Sequence, residues 1–305
     1  MSQQKSSLGK FAPLFIIVAS SLWGVDGIVL RPALFTLPVP LVVLIESSIV
    51  AILLTPFFIR RFDELKKLSS MDWLAFLGVA LSGGAIGVMA ITKALFYVNY
   101  VNLSIVVLIQ KLQPVFAILL ASVFLKERLP KTFFLWAGLA LVGAYLMTFG
   151  LALPRWALGN KITIAALLSL LAAFSFGSST VLSKRALKHV EFKLGTYLRF
   201  IISSLVMLII VFGAGELTRV NEVSNKQIII FIMIAFSTGG PAIFLYYYGL
   251  RRITASVATI CELAFPLTAV LLEYFLRGNM LGVVQWLGVL ILLLSIIKVS
   301  RLQNA

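Results

Sequence analysis

Apolar residues recur along the chain in long runs separated by short polar segments rich in lysine and arginine. Runs of roughly 20 residues cross the hydrocarbon of a bilayer as helices. The pattern predicts ten spans, near 11–30, 40–59, 72–93, 101–124, 131–150, 161–183, 194–213, 226–248, 254–276 and 281–300. Membrane barrel strands would instead give short segments of alternating polarity. The longest connections, 60–71 and 214–225, leave no room for a soluble domain, so the spans form one all-α bundle.

One run departs from the apolar pattern. Ser104–Leu125, SIVVLIQKLQPVFAILLASVFL, carries Gln110, Lys111, Gln113 and Pro114 near its middle. A lysine at that depth costs about 2.5–3.5 kcal/mol on insertion scales, so it is expected to face a cavity or a partner. The proline removes a backbone donor and frees a carbonyl. Polar side chains beside an opened backbone at membrane depth predict a binding site there.

Composition agrees with a membrane bundle. Of 305 residues, 61% are hydrophobic and 12% charged, against about 25% charged in soluble domains. The single cysteine, Cys261, excludes an internal disulfide. The polar first ten residues run straight into a full-length span, which is not the layout of a cleavable signal peptide. A net charge of +15 raises the case for a nucleic-acid partner. The basic residues lie in short loops, however, where membrane topology accounts for them and nucleic acid is not implied. With the N-terminus in the cytoplasm, 17 Lys and Arg fall on inner segments, 6 on outer segments and 3 within spans. That bias predicts both termini on the cytoplasmic side. A short chain without eukaryotic targeting features is expected in a bacterial inner membrane.

The two halves of the chain resemble each other at an offset of 150 to 153 residues. Trp23-Gly24 matches Phe176-Gly177, Ser104 matches Ser256, Pro114 matches Pro266, and Trp136 and Gly138 match Trp286 and Gly288. Five spans per half is an odd number, so the second half enters the membrane upside down. The predicted units are residues 1–150 and an inverted repeat over 151–305. A site is expected at their interface near the membrane midplane.

Ten spans in two halves, the early Trp-Gly, prolines inside the fourth and ninth spans, and the FLKER turn at Phe124–Arg128 resemble the EamA-type branch of the drug/metabolite transporter superfamily. The likeness covers nearly the whole chain. It implies export or uptake of small metabolites, often amino acids or related compounds, around a central cavity. Glu127 occupies the acidic position that the resemblance marks after the fourth span. The second half reads Arg277-Gly278-Asn279 there and lacks the acid, so Glu127 is read as a structural turn residue.

Several polar residues inside the spans are candidates for function. Asp26, Glu46 and Lys93 lie at similar depth toward the outer face and are expected to form a charge cluster that gates or couples protons. Lys93 alternatively snorkels to the interface. Arg199 is the repeat counterpart of Glu46, and Glu262 is that of Gln110. These two either gate the inner side or form a permanent ion pair. Substrate contacts are expected from Lys111, Gln110, Ser104, Trp23, Glu262 and Ser178. Ser82-Gly83-Gly84 reads as close packing, whereas Ser237-Thr238-Gly239-Gly240-Pro241 reads as a helix break. Of Tyr246, Tyr247 and Tyr248, at least one is expected in an interfacial belt, the alternative being that one lines a vestibule instead.

No phosphate-binding loop, metal cluster or nucleophile–base pair stands out, so neither an enzyme nor a cofactor is expected. The expected activity is secondary active transport by alternating access, as proton coupling or exchange. An acid beside a base suits a zwitterion, so an amino-acid-like metabolite is the first expectation. A nucleoside- or sulfonium-type metabolite, or a lipid flipped between leaflets, is the alternative. Expected partners are the small-molecule substrate and membrane lipids, with the chain acting as monomer or homodimer.

Overall fold

The computed structural model describes residues 11–58, 62–97, 106, 109–152, 160–278 and 280–302. The described residues are helical, with no strand among them. In chain order the main helices are α1 (Ala12–Leu34), α2 (Val39–Phe58), α3 (Ser70–Ala94), α4 (Gln113–Phe124), α5 (Lys131–Phe149), α6 (Asn160–Ala186), α7 (Phe192–Gly213), α8 (Asn225–Leu250), α9 (Ala255–Leu276) and α10 (Val283–Leu302). Nine of them are long and apolar enough to cross a membrane, and α4 is shorter. Most of the predicted fourth span before Ile109 lies outside the described residues.

Helix is the form that hydrocarbon imposes, because each backbone N–H and C=O must find its partner within the segment. Local signals then set the starts. Ser69 and Ser224 each accept a hydrogen bond from the backbone N–H three residues on, and Asp72 and Gln227 reach back to complete capping boxes. These boxes open α3 and α8, which hold matching places in the two halves.

The packing is two-fold. α1 packs on α8 and α9, while α6 packs on α3 and α4. Adding five to each helix of one half and subtracting five in the other turns the first pair of contacts into the second. α2 packs on α7, and α5 on α10. This exchange is what a two-fold axis through inverted five-helix repeats produces.

Glycines make the closest crossings possible. A Cβ on Gly24 would lie 2.9 Å from Phe265 O on α9. A Cβ on Gly177 would lie 3.0 Å from both Gln113 O and Ala117 N on α4. These are equivalent crossings, each at the first turn after a helix break.

The breaks themselves are also paired. The chain turns at Lys111-Leu112 before α4 and at Glu262-Leu263 within α9. Pro114 and Pro266 then sit in the first turn of the resumed helix, where a missing N–H leaves no bond unmade. Three further helices open into π turns, Asp26–Leu30 in α1, Ala80–Ile86 in α3 and Ala235–Gly239 in α8. The break expected at Ser237–Pro241 takes this form. The α3 segment expected to serve only packing is opened as well, and Gly83 and Gly87 also press against Ser179 and Phe176 of α6.

Glu127 does more than turn the chain. Lys126 adopts φ 55, in the left-handed region, and this directs the next side chain across to the second half. Glu127 accepts from Ala255 N (2.7 Å), Ser256 N (3.1 Å) and Ser256 Oγ (2.6 Å). A carboxylate on the first N–H groups of a helix also meets the positive end of its dipole. Lys184 of α6 donates nearby to Leu250 O (2.8 Å) at the end of α8.

Two consequences are measurable by thermal unfolding in detergent. Gly177→Val should lower stability by about 1–3 kcal/mol, because backbone atoms must shift. Gly138→Val, where a Cβ meets nothing within 4 Å, should leave the melting temperature nearly unchanged. Glu127→Ala should lower stability by about 0.5–2 kcal/mol through loss of the α9 cap.

Candidate functional site

The two breaks, with Gly83 of the α3 π turn, line a cavity of about 560 Å³ between the two halves. Volumes of about 300–1,000 Å³ are typical of small-molecule sites. Gln110 and Lys111 before α4 and Gln113 and Pro114 in its first turn enter its wall, as do Glu262, Leu263, Phe265 and Pro266 at the matching turn in α9. Trp23 and Arg31 come from α1, Phe176, Ser179, Thr180 and Ser183 from α6, Arg199 from α7 and Tyr246 from α8.

Glu262 is the hub of the polar wall. Its Oε1 accepts from Tyr246 OH at 2.7 Å and Thr180 Oγ1 at 3.1 Å, and its Oε2 accepts from Gln113 Nε2 at 2.9 Å. Those donors come from both halves of the chain. A buried carboxylate needs such bonds to offset lost hydration. Tyr246 also packs its ring on Trp23, with centroids 5.3 Å apart. Aromatic faces thus stand beside the hydrogen-bonded acid.

The expected pairing of Arg199 with Glu262 is replaced. No ion pair within 4 Å joins them among the described residues, and Arg199 Nη1 instead donates to Tyr247 OH at 3.4 Å. Tyr247 OH lies 3.2 Å from Ser183 Oγ, which lines the cavity. The tyrosine row divides as its helical spacing requires. Tyr246 lines the cavity, Tyr247 is buried, and Tyr248 lies under Arg252, 3.5 Å from guanidinium carbon to ring centroid.

At the other end Arg31 takes the place expected of Lys93. Its Nη2 lies 2.6 Å from Asp26 Oδ2 and 3.3 Å from Glu46 Oε2. Lys93 is exposed on α3 and joins neither acid in an ion pair among the described residues. Arg31 lies one residue beyond the expected end of the first span at residue 30. The π turn and the following Arg31–Leu34 turn carry the helix onward and swing the guanidinium inward.

Other expected residues fall in different places. Gln110, Lys111 and Trp23 stand in the wall with Glu262. Lys111 is half-buried and has no ion-pair partner among the described residues. Ser178 is outside the wall and returns its hydroxyl to Phe174 O at 2.7 Å, while Ser179 and Thr180, one and two positions on, face the cavity. Ser104 lies outside the described residues. Among those residues no group of three or more His, Cys, Asp or Glu is placed to hold a metal ion.

Removing the Tyr246 hydroxyl should unseat Glu262 without changing the ring packing. Tyr246→Phe is expected to lower stability by about 1–3 kcal/mol, the cost of a buried charged group losing a bond, measured by thermal unfolding.

Comparison with known proteins agrees with this architecture. The EamA-like transporter family model matches residues 10–149 and again 163–301. The riboflavin transporter ImpX of Fusobacterium nucleatum subsp. nucleatum is 45% identical over 290 residues, covering 95% of this chain and 97% of that one. The uncharacterized transporter YwfM of Bacillus subtilis is 27% identical over 304 residues, covering 96% and 94%. A solved crystal structure superposes with a TM-score of 0.73 at 14% identity, covering 96% of this chain and 97% of its own, which speaks for the fold alone. The chain is therefore an integral membrane transporter, and it belongs to the EamA-like transporter family.

Proposed function

We propose that this protein carries riboflavin, or a close relative with a flat ring system and a polyol tail, through the cavity between its halves. The observation that carries the proposal is the pairing of an aromatic wall with hydrogen-bonding groups, in a chain 45% identical over nearly its full length to a protein named as a riboflavin transporter. Trp23, Phe176, Tyr246 and Phe265 offer ring faces, and Gln110, Lys111 and Arg199 offer donors for ring carbonyls or hydroxyls. A flat heteroaromatic ring gains from stacking on such faces.

An amino-acid-like substrate is less well served. It would need a carboxylate free to meet its ammonium group, and Glu262 already has both oxygens engaged by Gln113, Thr180 and Tyr246. Lys111 remains as a cation facing the cavity.

Transport would proceed by alternating access, residues 1–150 and 151–305 rocking about the breaks. The cavity is built within one chain, so one copy suffices for the proposed cycle. The Lys and Arg bias favours cytoplasmic termini in a bacterial inner membrane. With that orientation the Glu127 cap and the Tyr247–Ser183 contact seal the cytoplasmic end, and Arg31 lies toward the outside.

Purified protein in liposomes should take up riboflavin, with excess unlabelled riboflavin competing and amino acids not competing. Trp23→Ala should raise KM by roughly 5- to 150-fold, corresponding to about 1–3 kcal/mol of stacking. Uptake that ignores riboflavin but is competed by an amino acid would overturn the proposal.

A further inference from the structure

We propose that Asp26, Glu46 and Arg31 are the coupling site, loading one proton with each substrate molecule. The inference rests on the transport reading above and adds its energy source. One guanidinium faces two carboxylates, so the cluster carries one uncompensated negative charge. The Asp26 and Glu46 side chains are only 8% and 15% exposed. A net charge held there is costly unless something neutralises it.

Each carboxylate of the cluster also turns one oxygen away from Arg31. Asp26 Oδ1 and Glu46 Oε1 are buried and have no hydrogen-bond partner among the described residues. Asp26 as a residue is 5% exposed, and its Oδ2 already faces Arg31. Buried carboxylate oxygens without donors call for a ligand that supplies one. A proton does so directly, turning one acceptor into an O–H and reducing the cluster to a neutral ion pair. The proton comes from water on the side to which the cavity is open and bonds to a carboxylate oxygen, while no bond of the substrate changes.

Position makes the cluster a coupling device. Arg31 lines the substrate cavity, but Asp26 and Glu46 do not. Proton and substrate therefore occupy adjoining places at the same time and do not compete for one. Neutralising the cluster removes the cost of enclosing it when the halves close, so the closed state carries both together. On the far side substrate and proton both leave to water. The emptied carrier returns deprotonated, with its cluster hydrated by the water that refills the cavity. One proton therefore crosses with each substrate molecule, and the cycle is a symport. The π turn at Asp26–Leu30 sets the geometry, placing Asp26 and Arg31 on one side five residues apart.

Neighbouring elements bring other charged groups. Lys93 on α3, Arg219 and Glu222 after α7, Lys226 on α8 and Glu273 on α9 belong to segments packed around the cluster. Arg219 and Glu222 pair with each other at 2.9 Å, and Lys93 and Lys226 are exposed. The charges that act on Arg31 are those of Asp26 and Glu46.

The test uses full-length protein in liposomes with membrane potential held at zero. Riboflavin accumulation in the wild type should rise about tenfold per unit of inward proton gradient, the free energy of one proton. Glu46→Gln leaves Asp26 and Arg31 as a neutral pair and should fill vesicles only to the outside concentration. A sodium gradient driving accumulation in place of protons, or gradient response surviving in Glu46→Gln, would overturn the proposal. Infrared pH-difference spectra of substrate-free protein provide a readout independent of riboflavin. A protonated-carboxyl band should appear on acidification and be lost or shifted in Glu46→Gln or Asp26→Asn, and a band unaltered by both would overturn the proposal. Failure of riboflavin exchange at equal pH would sink the substrate assignment alone, leaving the infrared result to decide the cluster.

Discussion

Hydrocarbon offers a broken helix no hydrogen-bond partners, and this constraint organises the molecule. The chain nonetheless breaks twice at depth, at Lys111-Leu112 and Glu262-Leu263. Each break releases backbone groups that need a polar setting, and each carries the side chains that help supply one. Gln113 beside the first break reaches Glu262 at the second. The two interruptions therefore satisfy each other across the boundary between halves, and the chamber exists because neither could be tolerated facing lipid.

Two-fold packing brings the breaks together, and departures from it give the ends different characters. Gly24 and Gly177 make equivalent close crossings, so the helices flanking the chamber approach alike on both sides. The acid at Glu127 holds the start of α9, whereas the second half reads Arg277-Gly278-Asn279 at the matching place. α1 opens into a π turn at Asp26, but α6 runs unbroken through the equivalent position. One end thus has a carboxylate latch between halves, and the other has a charge cluster. These substitutions make the ends differ without disturbing the shared core.

Much of this was legible from residue order because membrane helices announce themselves by length and polarity. Span positions, the repeat and the polar interruptions at Lys111 and Glu262 that end up in the cavity wall follow from counting apolar runs and noting what interrupts them. Finer geometry depended on rotations that a one-dimensional pattern cannot fix. Ser178 bonds back to its own helix while the adjoining Ser179 and Thr180 line the cavity, a rotation that residue order does not fix. Arg31 looked like a loop cation because a π turn adds a residue to the helix and turns its end inward. Glu127 was read as local because its partners, Ala255 and Ser256, lie more than a hundred residues away. Tyr246 was separable from Tyr247 and Tyr248 only once the depth and rotation of α8 were known.

The central claim is that the groups at the two breaks face water between the halves and not lipid. The most direct measurement is thiol accessibility of Lys111→Cys in a background where Cys261, fully buried and the single native cysteine, is replaced by Ser. A charged, membrane-impermeant thiol reagent should modify the introduced cysteine, and riboflavin should slow that reaction. Modification only by lipid-soluble reagents, with the charged reagent inert in both orientations of the protein, would contradict the account.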